Sequence, residues 1–525
     1  MRHGGAWSAP AIAALLLWCP DVVAQTRPGA RDPAAAASNR SSLKQGQAFL
    51  DANDLERATT ELQAALARHP ASPEAHFLMG LVYERQRDFG AAAASYARAI
   101  GFAPRMAAAH DRLGFVLGQQ GQTANALRKF EEAVQLDPGL FDAQYHLGAT
   151  RWWTKDFEGA LPALEAAVRL RPDHAEARYY LGLTFERQGR LEAAVNQLRE
   201  AVRLNPRLAL AQLRLGTTLQ AFGDLDGAIG HLETAARLDP SAADAQNSLG
   251  LALSQAGRGD DAVAVLRRLV STQPAYVPAR LNLGTALMQQ GNLADAVGVY
   301  RALLDIEPAN AEASYNLGLA LKQQDRFAEA ETALRRAAQL HPPLPEAPFT
   351  LGVVLWQTGR PDEAVQQFLE ALARKADYAD AHYMLGTILK QQGALSEAES
   401  RFRQAIRYRP TSAEAHRSLG QTLKQQGQEP AALAALAEAD RLDRRTADAQ
   451  ASTFAVSVGV QKLRTGDYAG AIGRFREAVR LAPDNPQAHY QLGLALRHTG
   501  ALAEADTHFA EAQRLAPHLR PPHKP

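Results

Sequence analysis

A glycine stands every 34 residues from Gly46 to Gly420 without a slip, and after one phase break the interval resumes at Gly459 and Gly493. A constant period of this length marks a stack of small units, each touching mainly its neighbours, and not one globular core. Counting the glycine as position 8 divides Asn39–Leu519 into fourteen repeats. Position 20 is alanine in all fourteen, from Ala58 to Ala505, and position 27 is alanine in all but two, Leu269 and Leu303. Position 24 is always large and apolar, as in Tyr96, Phe130, Leu164, Phe402 and Phe475, and position 32 is proline except at Ala376 and Arg444.

Within a period the apolar spacing is helical twice over. In residues 311–324 (AEASYNLGLALKQQ) and again in 327–340 (FAEAETALRRAAQL) apolar side chains recur three and four apart. A glycine at position 15 (Gly189, Gly223, Gly291, Gly393) suits the left-handed residue that ends a helix. The proline at position 32 cannot continue the second helix, so it stops every repeat at the same place. Acids open first helices (Glu74, Asp142, Glu312) and arginines close second helices (Arg169, Arg407, Arg514). Both placements oppose the helix dipole favourably.

Small residues at positions 8, 20 and 27 with proline at 32, in fourteen copies, resemble the tetratricopeptide repeat family. The resemblance implies an all-α solenoid of helical hairpins wound as a right-handed superhelix, with the first helices lining a concave groove. One departure stands out: position 4, large and apolar in the family, is here mostly polar, as in His76, His110, Gln144, Arg178, Gln212 and His382. The expected organisation is repeats 1–12 over 39–446, a five-residue insertion at 447–451, repeats 13–14 over 452–519 and a tail at 520–525. The insertion and the missing proline at Arg444 predict a longer helix or a bend there.

Residues 1–24 read as a secretory signal, with Arg2 followed by the apolar run Ala11–Trp18 and the small-residue site Val22-Val23-Ala24. That run is too short to span a bilayer, and no later stretch is apolar enough to do so. Cys19, the one cysteine, falls inside it. Residues 25–38 read as a flexible linker. The expected location is therefore outside the cytoplasm, periplasmic or extracellular. With 57 basic and 56 acidic residues the net charge is +1, which argues against a nucleic-acid binder.

On the positions that the resemblance turns toward the groove (2, 5, 6, 9, 12 and 13), one aromatic cluster is conspicuous. Tyr145 and His146 hold positions 5 and 6 of repeat 4, Trp152 and Trp153 hold 12 and 13, and Tyr179 and Tyr180 hold 5 and 6 of repeat 5. Rings with polar tips give large contact area at small entropic cost and are enriched at interfaces. Aromatics at positions 5 and 12 also serve packing between repeats in this family, and Trp153 is the one that packing explains least. Asn282 and Asn316, both at position 6, are similar to the inward asparagines of the repeat arm of O-linked N-acetylglucosamine transferase, which grip peptide backbone. Their amides donate and accept together, which suits a main-chain partner.

No phosphate-binding glycine loop, metal-ligand spacing or nucleophile motif appears, so no enzyme activity and no cofactor are expected. The reading is a noncatalytic scaffold whose partner is a protein or peptide. A glycan- or polymer-binding accessory of an envelope assembly or a glycosyltransferase system is the alternative. Oligomeric state is left open by the pattern.

Overall fold

The computed structural model describes residues 33–340, 344–517 and 519. Those residues form 27 helices and no strand. Each repeat is a pair of helices, such as Ala311–Gln323 followed by Phe327–Gln339. The chain separates into two compact parts, Met1–Thr218 and Leu219–Pro525, each holding its own succession of hairpins.

Local chemistry sets the helix ends. Second helices often begin at an aspartate whose side chain accepts the backbone N–H three residues on, as Asp88, Asp156 and Asp224 do. Position 15 has a positive φ in every repeat. Glycine takes it in ten, but Asn53, Arg87, Lys155 and Asp325 adopt it too. A bulky side chain there bears a cost of roughly 1–2 kcal/mol.

The 34-residue glycine has a steric cause. A Cβ added at Gly284 would lie 2.4 Å from Tyr300 Cζ, and one at Gly80 would lie 2.4 Å from Tyr96 Cε1. In thirteen of the repeats position 24 of the second helix lies against position 8 of the first. Only glycine lets the two helices come that close.

The polar position 4 also has a structural role. In ten repeats its side chain donates to the backbone carbonyl six residues earlier, at position 32 of the preceding repeat, over 2.7–3.2 Å. Histidine, glutamine and arginine all serve, from His76 on Pro70 to His489 on Pro483. The helix has ended at that point, so the carbonyl has no helical partner and needs a donor. A carbonyl only accepts, so each of these imidazoles carries its proton on Nε2. The recurring histidines thus clamp loops.

Two boundaries differ from the sequence reading. The first helix starts at Pro33, so residues 33–38, expected to be linker, are helical. The alanine run Ala34–Ala37 explains this through its helix propensity. The two compact parts divide at Thr218/Leu219 and not at the insertion. There the second helix of repeat 12 and the first of repeat 13 form one 36-residue helix, Glu429–Arg464. The expected signal, residues 25–32 of the linker and the tail 520–525 lie outside the described residues.

Candidate functional site

First helices of successive repeats run side by side, and a residue at position 5 meets position 6 of the next repeat, 35 residues on. Asp111 and His146 pair this way, Nδ1 donating to Oδ1 at 2.8 Å, and so do Asn282 and Asn247 at 2.9 Å. Tyr179 with Arg214 and Tyr315 with Thr350 follow the same rule. Position 12 meets position 13 likewise: Gln220 donates to Gln255 at 2.7 Å, and Ser254 donates to Gln289.

In repeats 4 and 5 that register builds the aromatic cluster. Tyr145 stacks on Phe141 and lies 6.1 Å from Tyr180. The Trp152 ring meets Trp153 edge-on at 5.3 Å and Tyr180 at 5.8 Å. Trp153 Nε1 donates to Tyr180 Oη at 3.1 Å. Trp152 Nε1, by contrast, is shut from solvent with no acceptor. Burial pushes the phenols of Tyr145, Tyr179 and Tyr180 up, Tyr179 to about 12, so all three are neutral donors at ordinary pH.

The eight expected contact residues do not share one fate. Tyr145, only 2% exposed, lies with His146 and Tyr179 in the interior, which corrects their expected place on an open groove. Their rings are covered because neighbouring positions 5 and 6 are also large, and the 35-residue register presses them together. Trp152 is mostly packed against the same core. Trp153, 52% exposed, and Tyr180, partly exposed, remain at the surface. Asn282 and Asn316 are partly exposed and lie in the second compact part, away from the cluster along the chain.

Beside the aromatic cluster the same positions hold a charge network that the sequence reading missed. Glu84, buried at position 12 of repeat 2, accepts from Tyr96 Oη at 2.7 Å and from Arg112 Nη1 at 3.3 Å. Arg112 also lies 3.9 Å from Asp142, and Asp111 holds His146. Burial alone would lower the Arg112 pKa, but the Glu84 and Asp111 carboxylates raise it, so the guanidinium stays charged. The signal was present: charged residues at groove positions 12, 5 and 6 of consecutive repeats. Among the described residues no group of three or more His, Cys, Asp or Glu is placed to hold a metal ion. No described helix is long and apolar enough to cross a membrane.

The tetratricopeptide repeat model matches residues 43–107, 154–209, 213–277, 281–345, 349–400 and 460–519, with further models of the repeat at 386–427 and 107–140. The chain belongs to the tetratricopeptide repeat family. Such arrays are protein-interaction folds and are generally noncatalytic. No curated protein sequence matches the chain. Among solved structures, PilF of Pseudomonas aeruginosa is 20% identical over 41% of this chain and 97% of its own, with a TM-score of 0.38. YrrB, described as a TPR protein with an unusual peptide-binding site, is 23% identical over 35% of this chain and 95% of its own, at 0.32. The Cut9–Hcn1 hetero-tetramer of the APC/C gives 15%, 87%, 96% and 0.33. None of these bears on what this chain binds.

Proposed function

We propose that this tetratricopeptide array is a noncatalytic, exported scaffold, periplasmic or extracellular, that holds an extended peptide or partner protein along the first helices of repeats 4 and 5. The observation that carries the reading is Trp153. It is a half-exposed ring hydrogen-bonded to Tyr180, beside a buried Trp152 N–H that has no acceptor. Aromatic anchors of this kind dominate interface energetics. Asn282 and Asn316, at position 6 of repeats 8 and 9, form a second, more polar stretch suited to main-chain amides. Export rests on residues 1–24, whose charged start and short apolar core read as a cleavable signal.

The test compares residues 25–525 with a Trp153→Ala variant in affinity capture from an envelope fraction, with helical circular dichroism as control. A protein retained by the first and lost by the second supports the reading. Equal retention removes Trp153 from the site. Quenching of tryptophan fluorescence by a soluble polysaccharide, with no protein captured, replaces it with the glycan alternative.

A further inference from the structure

Every regular seam between repeats follows one recipe. Position 3 lies on positions 20, 24 and 27 of the repeat before, as Ala177 lies on Ala160, Leu164 and Ala167. Position 3 is alanine in twelve repeats and at most 1% exposed in each, and position 24 is at most 3% exposed in all repeats but one.

The long helix abolishes one seam. Its first half packs on the first helix of repeat 12 and its second half on the second helix of repeat 13. The two segments that elsewhere fold back on each other are here the two ends of one rod, so both seam faces stay open. Phe454, at position 3 of repeat 13, is 71% exposed, and Leu433, at position 21 of repeat 12, is 59% exposed. Leu436 is the one position-24 residue that is partly exposed. The outermost repeats show different chemistry at these slots. Ser41 holds position 3 of the first repeat and Asp506 holds position 21 of the last, both exposed. Polar residues hold these slots in the first and last repeats, whereas at the interior break the same slots carry Phe454 and Leu433.

We propose that a second copy of this chain covers those faces. The two long helices pack antiparallel about a two-fold axis, and repeat 12 of each copy stacks on repeat 13 of the other. Leu436 and Phe454 are complementary by the recipe above, yet stand eighteen residues apart, about 27 Å along the rod. No glycine or proline lies between them to let the chain fold back. Eighteen residues are five whole turns at 3.6 residues per turn, so both side chains point to one side. A two-fold axis midway, near residue 445, sets Leu436 on the partner's Phe454 and Phe454 on the partner's Leu436 at once, a closed isologous contact. Arg444 and Asp448 flank that axis on one edge of the helix, where antiparallel packing puts opposite charges across from each other. Each seam face, two helices side by side, measures roughly 20 by 20 Å. Two seams then bury roughly 1,600 Å² in all, the size of a stable complex.

The test is the mass of the full chain by sedimentation and light scattering at roughly ten times the concentration at which a micromolar complex half-dissociates. A species of twice 56.7 kDa is expected. Phe454→Asp should convert it to the single-chain mass with unchanged helical circular dichroism, because the side chain supports nothing within its own copy. Leu433→Asp, in the other half of the helix, should do the same. A wild-type chain at the single mass overturns the proposal, as does a dimer that survives both substitutions.

Discussion

Repeats 3–5 and repeats 7–9 place side chains at the same first-helix positions, by the same 35-residue register, and obtain opposite surfaces. In the earlier stretch positions 5 and 6 are Asp111, Arg112, Tyr145, His146, Tyr179 and Tyr180, and most of them are buried. Large rings and long charged groups cover one another, and Arg112, Tyr180 and above all Trp153 still reach solvent. In the later stretch the corresponding residues are Asn247, Ser248, Leu281, Asn282, Tyr315 and Asn316, mostly shorter and all partly exposed. They pair across the seam, as Asn282 does with Asn247, yet stay partly exposed. Side-chain size at two positions therefore decides whether the register builds an interior or leaves an open polar row.

The hardest way to break the comparison is at the charge network. Arg112→Met should destabilise repeats 2–4 by about 3–5 kcal/mol, because Glu84 and Asp111 are left as buried charges without a compensating cation. Hydrogen exchange should show the loss confined to the helices between residues 73 and 153. Stability in an array is approximately a sum over repeats and seams, so the later stretch should be untouched. Exchange that rises equally in both stretches would show that they do not unfold independently.

A smaller effect is expected in binding. Trp153→Ala should weaken a captured partner by at least about 30-fold, the size of a 2 kcal/mol anchor. Asn282→Ala should cost only about 1 kcal/mol in stability, since the Asn247 amide it abandons can turn to water. Calorimetric titration and chemical denaturation read these two.

Next to Trp153, Lys155→Gly should stabilise repeat 4 by about 1 kcal/mol, by relieving the positive φ that lysine holds there. A denaturation midpoint that does not rise would mean the strain has already relaxed.

The smallest contrast is in acid. His174 caps the helix Ala175–Arg187 by accepting the Ala177 N–H on Nδ1, and burial among Phe141 and Tyr145 lowers its pKa, only partly offset by Glu176. The folded state therefore resists a proton that the unfolded chain takes up from about pH 6.5 downward. Stability in repeats 4 and 5 is present above that pH and declines below it. His174→Asn keeps a capping acceptor and does not titrate, so it should flatten the decline. A slope that survives the substitution assigns it to other groups.

Much of the fold was legible because it depends on single positions. Gly284 must be glycine for Tyr300 to lie against it, and the turn at position 15 needs a left-handed residue, so both print a period. The loop clamp at position 4 was harder to read, since His76, Gln144 and Arg178 look unlike one another and their shared acceptor is a main-chain oxygen. The expected site was legible as a place but not as a surface. Position numbers located Tyr145 and Tyr179, and only the size of their neighbours across the seam shows that they are covered.

The clamp at position 4 has one more consequence. Its acceptor is a carbonyl present in every repeat whatever the side chains, and its donor lies six residues later across the joint. Adding or removing a whole repeat that carries such a donor would leave the new joint with the same donor and acceptor facing each other. The cross-seam pairs are different in kind, because Asp111 answers to His146 and to no arbitrary successor. Changes of array length by whole repeats are thus tolerated at the joints and restricted by the pairs, which makes repeats 3–5 the stretch least free to be shuffled.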